Sequence, residues 1–472
     1  MFKGLFFNQC GKGPTVRSPG AHRIASWLRM NNWDIEVLDF LPFWSIEELK
    51  EFCISRIDHQ TKFVAFSYMF FTPQVNNFPV ELLIWIKEQY PQLKIIVGSQ
   101  EKYLHGHEYV DYIISGYGEF AILELLQYLF SNGDRPKFAL ENPFFKFINA
   151  NKLYPAYPMK NLSILYENRD YLSADEWLGI EFSRGCMFKC DFCNYPILGV
   201  KGDYTRDADD FRNQVTDTYE RFGISNYVVA DETFNDRTEK ITKFADVVET
   251  LNFSPFFQGF LRADLLVSRP TDREELLRMN FLAQFYGIET FNHQSGKAIK
   301  KAMHPDKLKD GLIDIKKYFH THGSKKYRGF ISLIYGLPYE TIESLNTTKN
   351  WLVDHWQGES FGGAPLEIRL SSENSSLISD NYEKYGYRKM IDDKNFPGLV
   401  WENEFMNIMQ ARQISQEFQN LYNNRQYDFR VYAHWLPDTQ NIDLLKNQVD
   451  VADRLRILDR ITIYKNKKLS TN

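Results

Sequence analysis

Cys186, Cys190 and Cys193 stand in the run FSRGCMFKCDFCNYP, three of the chain's five cysteines within eight residues at the spacing C-x3-C-x2-C. This spacing brings three thiols onto one short loop. Thiolate is the ligand that iron–sulfur clusters use, and no fourth cysteine lies nearby. Three thiolates can therefore hold three irons of a four-iron four-sulfur cluster and leave the fourth iron open. The competing readings are a structural zinc knot and chance clustering. Zinc knots usually close four ligands as paired C-x2-C elements, and none of the ten histidines lies near Cys193.

Cys10 and Cys53 belong to no motif and read as free, buried cysteines. Five cysteines in 472 residues, with no signal-peptide pattern in MFKGLFFNQCGKGP, predict a reducing cytoplasmic setting instead of a secreted disulfide protein. The net charge is −5 with Lys and Arg scattered along the chain, so nothing at chain level supports nucleic-acid binding. No apolar run reaches the roughly 18 residues of a membrane span.

Residues 1–135 alternate the apolar runs KGLFFN, DIEVLDF, KFVAFSYMF and LKIIVG with helical stretches such as GAHRIASWLRMNN. That rhythm predicts an α/β domain with a Rossmann-like, doubly wound parallel sheet, whose ligands bind beyond the carboxyl ends of the strands. Those ends fall at Asn8-Gln9, Ser67-Tyr68, Gly98-Ser99-Gln100 and the turn Gly116-Tyr117-Gly118-Glu119. Residues 136–172, with ENPFF and LYPAYP, have little periodicity and predict a linker. A second alternation follows, with strands expected at 178–183, 227–230, 256–260, 283–287, 328–334 and 365–370. Six such units over residues 173–390 predict a partial (β/α)6 barrel with its active site at the carboxyl ends of its strands. The cysteine loop follows the first of them. Residues 391–472 predict a small helical C-terminal region, where NEFMNIMQARQISQEFQNLYNN places apolar residues at helical spacing.

The cysteine run resembles the signature of the radical S-adenosylmethionine (SAM) superfamily. The resemblance implies that the amino and carboxylate groups of SAM occupy the open iron. It further implies that the reduced cluster cleaves SAM to methionine and a 5′-deoxyadenosyl radical, which abstracts hydrogen from a substrate. An electron donor such as flavodoxin or ferredoxin is implied with it. The stretches RSPGAHRIASWLRMNNWDIEVLDF and IIVGSQEKYLHGHEYVDYIISGYGEFAILELLQYL are similar to the opening and closing units of the cobalamin-binding domain that precedes many radical SAM barrels. On that resemblance Ser67, Gly98, Ser99 and Gly116 are the strand-end residues that leave room for cobalamin. The D-x-H-x-x-G motif that supplies a histidine to cobalt elsewhere is absent, and His105 and His107 in YLHGHEY read as loop histidines. Cobalamin is thus expected without a protein histidine on the metal.

Further motifs fall on the expected barrel strand ends. ADETFND resembles the family's acidic run beside SAM, and Asp231 or Glu232 can accept hydrogen bonds from the ligand's ammonium group. The alternative is helix N-capping by Asp231 or Thr233. In FLRADLL, Arg262 can pair with the SAM carboxylate, with Asp231 or Glu232, or in a plain structural ion pair. YGIETFN resembles the family's G-I-E-[ST] run and nominates Glu289. GFISLIYGLPYET resembles a G-x-P-G-E-T turn in which Gly329 and Gly336 let the backbone approach adenine, with Pro338 and Thr341 shaping the turn and Tyr339 replacing the usual second glycine. Ser371, Ser372, Glu373 and Asn374 form either a substrate-reading set or a solvated loop.

These readings predict a radical SAM enzyme, with cobalamin-dependent methylation of an unactivated carbon as the leading reaction. A radical rearrangement, cyclisation or oxidation without methyl transfer is the second reading. A non-enzymatic iron–sulfur binding or assembly protein is the third, and it leaves the acids and glycines on successive strand ends without a purpose. The substrate is expected to be a small molecule or a peptide. Five cysteines leave no set for a second cluster, which argues against methylthio transfer.

Overall fold

Phe6 and Phe7 are adjacent in the first strand, point to opposite sides of it and are both buried. A strand covered on both faces belongs in a sheet sandwiched between helices, the usual setting of parallel strands. The computed structural model describes residues 1–9, 16–67, 79–99, 106–141, 146–154, 159, 161–195, 197–301, 303–323, 327–370, 375–391, 398–423 and 451–470. It contains two large sheets, both entirely parallel.

The first sheet is built from β1 (Phe2–Phe7), β3 (Trp33–Leu38), β4 (Thr61–Ser67), β5 (Lys94–Gly98), β6 (Tyr112–Ser115) and β7 (Phe147–Asn149), in the order β3-β1-β4-β5-β6-β7. Phe6 joins Trp33, Ile96 and Leu125 in the core on one face, and Phe7 joins Phe52, Phe66 and Val97 on the other. β7 lies inside the stretch expected to be a linker: Ile113, Ile114 and Ser115 pair with Phe147, Ile148 and Asn149. A three-residue edge strand is too short to show a period of two, which is why the sequence conceals it.

The second sheet has the order β13-β12-β11-β10-β9-β8-β2. Its barrel strands are β8 (Trp177–Ile180), β9 (Asn226–Val229), β10 (Phe256–Leu261), β11 (Phe281–Glu289), β12 (Arg328–Tyr335) and β13 (Ser360–Pro365). The sixth strand corrects the expectation at 365–370. The chain pairs SFGGAP with Phe330–Tyr335, and Gly363 is needed there because a Cβ would lie 2.2 Å from the Leu333 carbonyl oxygen. Glycines give that strand a poor β signal, while the apolar side chains of Leu366 and Ile368 are buried from an irregular segment that imitates one.

The seventh strand of this sheet, β2 (Val16–Arg17), comes from the other end of the chain and pairs with Trp177 and Leu178. Arg17 is thereby buried where the two sheets meet. It holds Glu176 with two nitrogens at 2.6 and 3.0 Å, contacts Asp39 and donates to the carbonyl oxygens of Asp170 and Tyr171. His22 and Asn8 lie 2.9 and 2.7 Å from Asp39 Oδ1.

The C-terminal region is not solely helical. It includes the antiparallel pair β14 (Arg388–Ile391) and β15 (Val400–Glu402), then the helices Ile408–Asn423 and Val451–Ser470. The last helix returns to the first sheet, where the Tyr464 hydroxyl accepts from the Asp39 amide at 2.8 Å and Lys468 pairs with Glu36 at 3.0 Å. No helix among the described residues is long and apolar enough to cross a membrane.

Candidate active site

The carboxyl ends of the two sheets share one cavity of about 230 Å³, room for more than an ion. The first sheet contributes Ser67, Gly98, Ser99, Gly116 and Tyr117, and the barrel contributes Glu181, Arg184 and Tyr195. All four residues that the sequence nominates for a corrin are thus brought together. Gly98 is uncrowded, since an added Cβ would meet only the Phe66 carbonyl oxygen, in ordinary contact at 3.9 Å. Gly116 is different: at φ +87° it makes a left-handed turn, and a Cβ would lie 2.5 Å from Asn151. Asn151 follows β7, lines the cavity and accepts a hydrogen bond from the Tyr117 amide at 3.0 Å.

The cysteine loop rests on an aromatic floor. Phe182, two residues past the end of β8, packs against Phe211, Phe234 and Phe244 with ring centroids 4.9, 4.9 and 4.5 Å apart. Such tilted and edge-on contacts fix ring orientation as well as burying area. The loop folds on itself through the Cys186 amide to the Ile197 carbonyl at 2.9 Å and the Cys193 amide to the Cys190 carbonyl at 3.1 Å. Asp191 pins its far side, meeting the Tyr385 hydroxyl at 2.6 Å and Lys300 Nζ at 2.5 Å. Burial pushes the Cys193 thiol up to about 11, and the neighbouring Cys190 and Cys186 add to the shift. Burial raises Cys186 as well, against a 3.6 Å contact with Thr233. Among the described residues, no three His, Cys, Asp or Glu side chains converge tightly enough for a single metal ion.

The two acids after β9 part company. Asp231 is buried and accepts from the Phe182 amide at 2.7 Å and from the Ser183 hydroxyl, with Lys240 3.5 Å away. It supports the base of the cysteine loop through these contacts. Neither Asp231 nor Thr233 caps a helix with its side chain. Glu232 neighbours the Tyr195 hydroxyl, and its Oε2 is buried without a partner among the described residues. Burial, reinforced by Asp231, pushes this carboxyl up to about 8.

Arg262 makes a bidentate pair with Asp264 at 3.0 and 2.6 Å and does not meet Asp231 or Glu232. It stacks 4.0 Å over Phe188 and reaches to 3.7 Å from Cys190 Sγ, so it touches the cysteine loop directly. Glu289 ends β11 at φ +68°, an uncommon conformation for a non-glycine residue, and pairs with Lys301 at 3.1 Å. Lys301 is a neighbour that no sequence motif announces.

The two barrel glycines leave no opening for an adenine ring on their side-chain faces. A Cβ at Gly329 would meet Trp356 at 2.8 Å, and one at Gly336 would meet Trp401 at 2.2 Å. Packing against tryptophans therefore explains both. Tyr339 keeps the turn by adopting φ +64°, the left-handed region that glycine normally supplies. Thr341 starts the next helix, accepting from the Ser344 amide at 3.0 Å. Glu340, missed in the sequence, receives the Gly336 amide at 2.8 Å and the Thr290 hydroxyl at 2.7 Å, and burial pushes it up to about 7.

Cys53 is buried and its thiol is raised by that burial, whereas His107 is half exposed beside Glu108. Cys10, His105, Tyr68, Gln100 and the set Ser371, Ser372, Glu373 and Asn374 lie outside the described residues.

Residues 180–352 match the radical SAM superfamily, from the end of β8 through most of the helix after β12. That stretch of the chain is similar to the radical SAM domain. The domain implies a four-iron four-sulfur cluster and SAM as its cofactors. The anaerobic magnesium-protoporphyrin IX monomethyl ester cyclase of Synechocystis sp. (strain ATCC 27184 / PCC 6803 / Kazusa) is 24% identical over 235 residues, 47% of this chain. The chain spans about half of that relative, 46% of its length. The fold is that of cobalamin-dependent radical SAM enzymes. OxsB with aqua-cobalamin bound has a TM-score of 0.64 at 14% identity, covering 99% of this chain and 80% of that one. The methyltransferase TsrM from Kitasatospora setae, with tryptophan and a SAM analogue bound, has a TM-score of 0.60 at 12% identity, over 85% and 80% of the two chains.

Proposed function

We propose that this enzyme uses cobalamin and SAM together to methylate an unactivated carbon, with residues 1–135 as the cobalamin side and residues 173–390 as the SAM side. One observation carries the reading: the carboxyl ends of both parallel sheets open into a single cavity, with the small residues of the first facing the cysteine-loop side of the second. Cys186, Cys190 and Cys193, three thiols on one short loop, hold the cluster. Arg262 places a positive charge against Cys190. Glu232, with a vacant buried oxygen, accepts the SAM ammonium group. Glu289 lies close enough to Cys193 to raise its thiol pKa, which puts it near the same ligand. Ser67, Gly98 and Ser99 leave the corrin its space, and the turn at Gly116 sets Tyr117 at its edge.

When bound, cobalamin supplies a transferable methyl group, and SAM with the cluster supplies the hydrogen-abstracting radical. The chain's part is to bind and orient these groups and to exclude water between the sheets. Reduction of the cluster calls for an electron donor such as flavodoxin or ferredoxin, in keeping with a cytoplasmic setting. The substrate is a small molecule or a peptide.

A second reading, radical cyclisation or oxidation without methyl transfer, is favoured by the match to the cyclase. Anaerobic reconstitution with SAM, with and without methylcobalamin, followed by mass analysis of the nucleoside products, separates the two. Methyl transfer predicts retained cobalamin and formation of S-adenosylhomocysteine alongside 5′-deoxyadenosine. Equal 5′-deoxyadenosine formation without cobalamin, and none retained, favours the second.

A further inference from the structure

Two buried polar ties cross from the first sheet to the barrel, and they land on opposite ends of the cysteine loop. Arg184, two residues before Cys186, donates to Glu119 at 2.7 Å and to Glu181 at 3.0 and 2.7 Å, and stacks 4.1 Å over the Tyr117 ring. Glu119 opens the helix Glu119–Phe130 of the first domain and is also 3.2 Å from Arg23. Tyr195, two residues after Cys193, shares a short hydroxyl–hydroxyl hydrogen bond with Tyr117. Tyr195 in turn neighbours Glu232 just past the end of β9, close enough for the carboxylate to raise its hydroxyl pKa beyond the effect of burial. Arg184 and Glu119 are 5% and 2% exposed, so both ends of the first tie are out of water.

We propose that Tyr117 and Glu119 are positioning residues: through Tyr195 and Arg184 they hold the cysteine loop at both ends and aim the Glu232 carboxyl. The first domain is then part of the SAM-cleaving machinery and not only a holder for a second cofactor. Three observations support this. Each tie crosses between the sheets and adds a first-domain partner to the neighbours that Arg184 and Tyr195 already have in the barrel, Glu181 and Glu232. All four side chains line the shared cavity, so a ligand there meets the groups that fix the loop. Finally, Arg184 carries a positive charge two residues from a cluster cysteine, and cluster potentials respond to nearby charge and to hydrogen bonds around the sulfurs. Fixing that guanidinium fixes the field at the cluster.

The proposal rests on the cysteines holding a cluster, so the first measurement is the iron and sulfide content of the reconstituted wild type. The second compares Tyr117→Phe, Tyr195→Phe and Glu119→Gln with a control, Tyr154→Phe, which removes a hydroxyl bonded to Glu124 within the first domain. For each we expect cluster content close to wild type. The three test variants should show a raised KM for SAM, about threefold to tenfold per lost hydrogen bond, with a smaller change in kcat. The cluster potential, and the electron paramagnetic resonance spectrum with SAM bound, should shift in these variants and stay unchanged in the control. Normal cluster content together with wild-type KM, potential and spectrum in both tyrosine variants overturns the positioning role while leaving the proposed function standing. A wild type that assembles no cluster overturns both. Should Tyr117→Phe fail to fold, Tyr195→Phe removes the other end of the same bond and decides the matter.

Discussion

Replacing Arg17 by methionine tests how the two sheets are held in register. Its guanidinium lies between Asp39 and Glu176, with every side chain of the trio at most 1% exposed. Methionine keeps much of the apolar stem but removes the charge, stranding Glu176 in a site that excludes water. Breaking a buried ion pair by deleting one partner costs about 3–5 kcal/mol, because the remaining charge is left uncompensated. The contacts of Arg17 with the rings of Phe40 and Tyr464, each 4.9 Å from the guanidinium carbon, contribute roughly 0.5–1 kcal/mol more apiece. Urea unfolding of the apoprotein, read by far-UV circular dichroism, should show the loss as a lowered midpoint at unchanged slope. Adding Glu176→Gln removes the stranded charge, so the double variant should lose less than the sum of the singles, by about 0.5–3 kcal/mol. The pH dependence has a definite sign. In the wild type His22 and Arg17 hold the Asp39 carboxyl below its usual range, a stabilisation present above pH 4 or so and lost as pH falls. In Arg17→Met the Asp39 carboxyl loses one of the two charges that lower it, so this part of the wild type's advantage, and with it the gap between variant and wild type, should shrink on acidification. A loss below about 1 kcal/mol, or strict additivity with Glu176→Gln, would refute the claim that this buried trio joins the sheets.

Alanine at any of Cys186, Cys190 or Cys193 should abolish iron–sulfur absorbance and 5′-deoxyadenosine formation, and SAM cleavage by the triple variant would rule out the cluster assignment. Because the Glu232 carboxyl titrates at about 8 and a bound ammonium favours its ionised form, SAM affinity should rise with pH below that value, by up to tenfold per unit, and level off above it. Glu232→Gln should weaken binding and flatten this profile; an unchanged profile assigns the titration elsewhere. Hydroxocobalamin retention should be lost in Gly98→Trp, because Gly98 lines the shared cavity, with cluster content preserved; equal retention places cobalamin outside this cavity. Gly336→Ala should destabilise by about 1–3 kcal/mol in thermal or urea unfolding, since its Cβ would overlap Trp401 at φ +87°. A neutral effect would mean that the indole can move aside.

The cysteine spacing, the strand–helix rhythm and the acidic and glycine-bearing strand ends lie within short windows of sequence, and from these the two parallel sheets and the likeness to the radical SAM domain were legible without any coordinates. Local patterns carry that information because a strand's burial and a loop's ligand spacing are set by neighbouring residues. Contacts between distant segments leave no such trace. Only the folded chain puts Arg17 beside Glu176, Tyr117 beside Tyr195 and Glu119 beside Arg184, pairs separated by 159, 78 and 65 residues. It also decided between the two acids after β9: Asp231 turns inward to the loop's backbone, while Glu232 keeps a free oxygen. Adjacent residues of a chain leaving a strand point in different directions, so the motif could name both acids but could not choose. The barrel glycines illustrate the same limit, since a glycine reads alike whether its space is filled by a ligand or, as at Gly329 and Gly336, by a tryptophan arriving from far along the sequence.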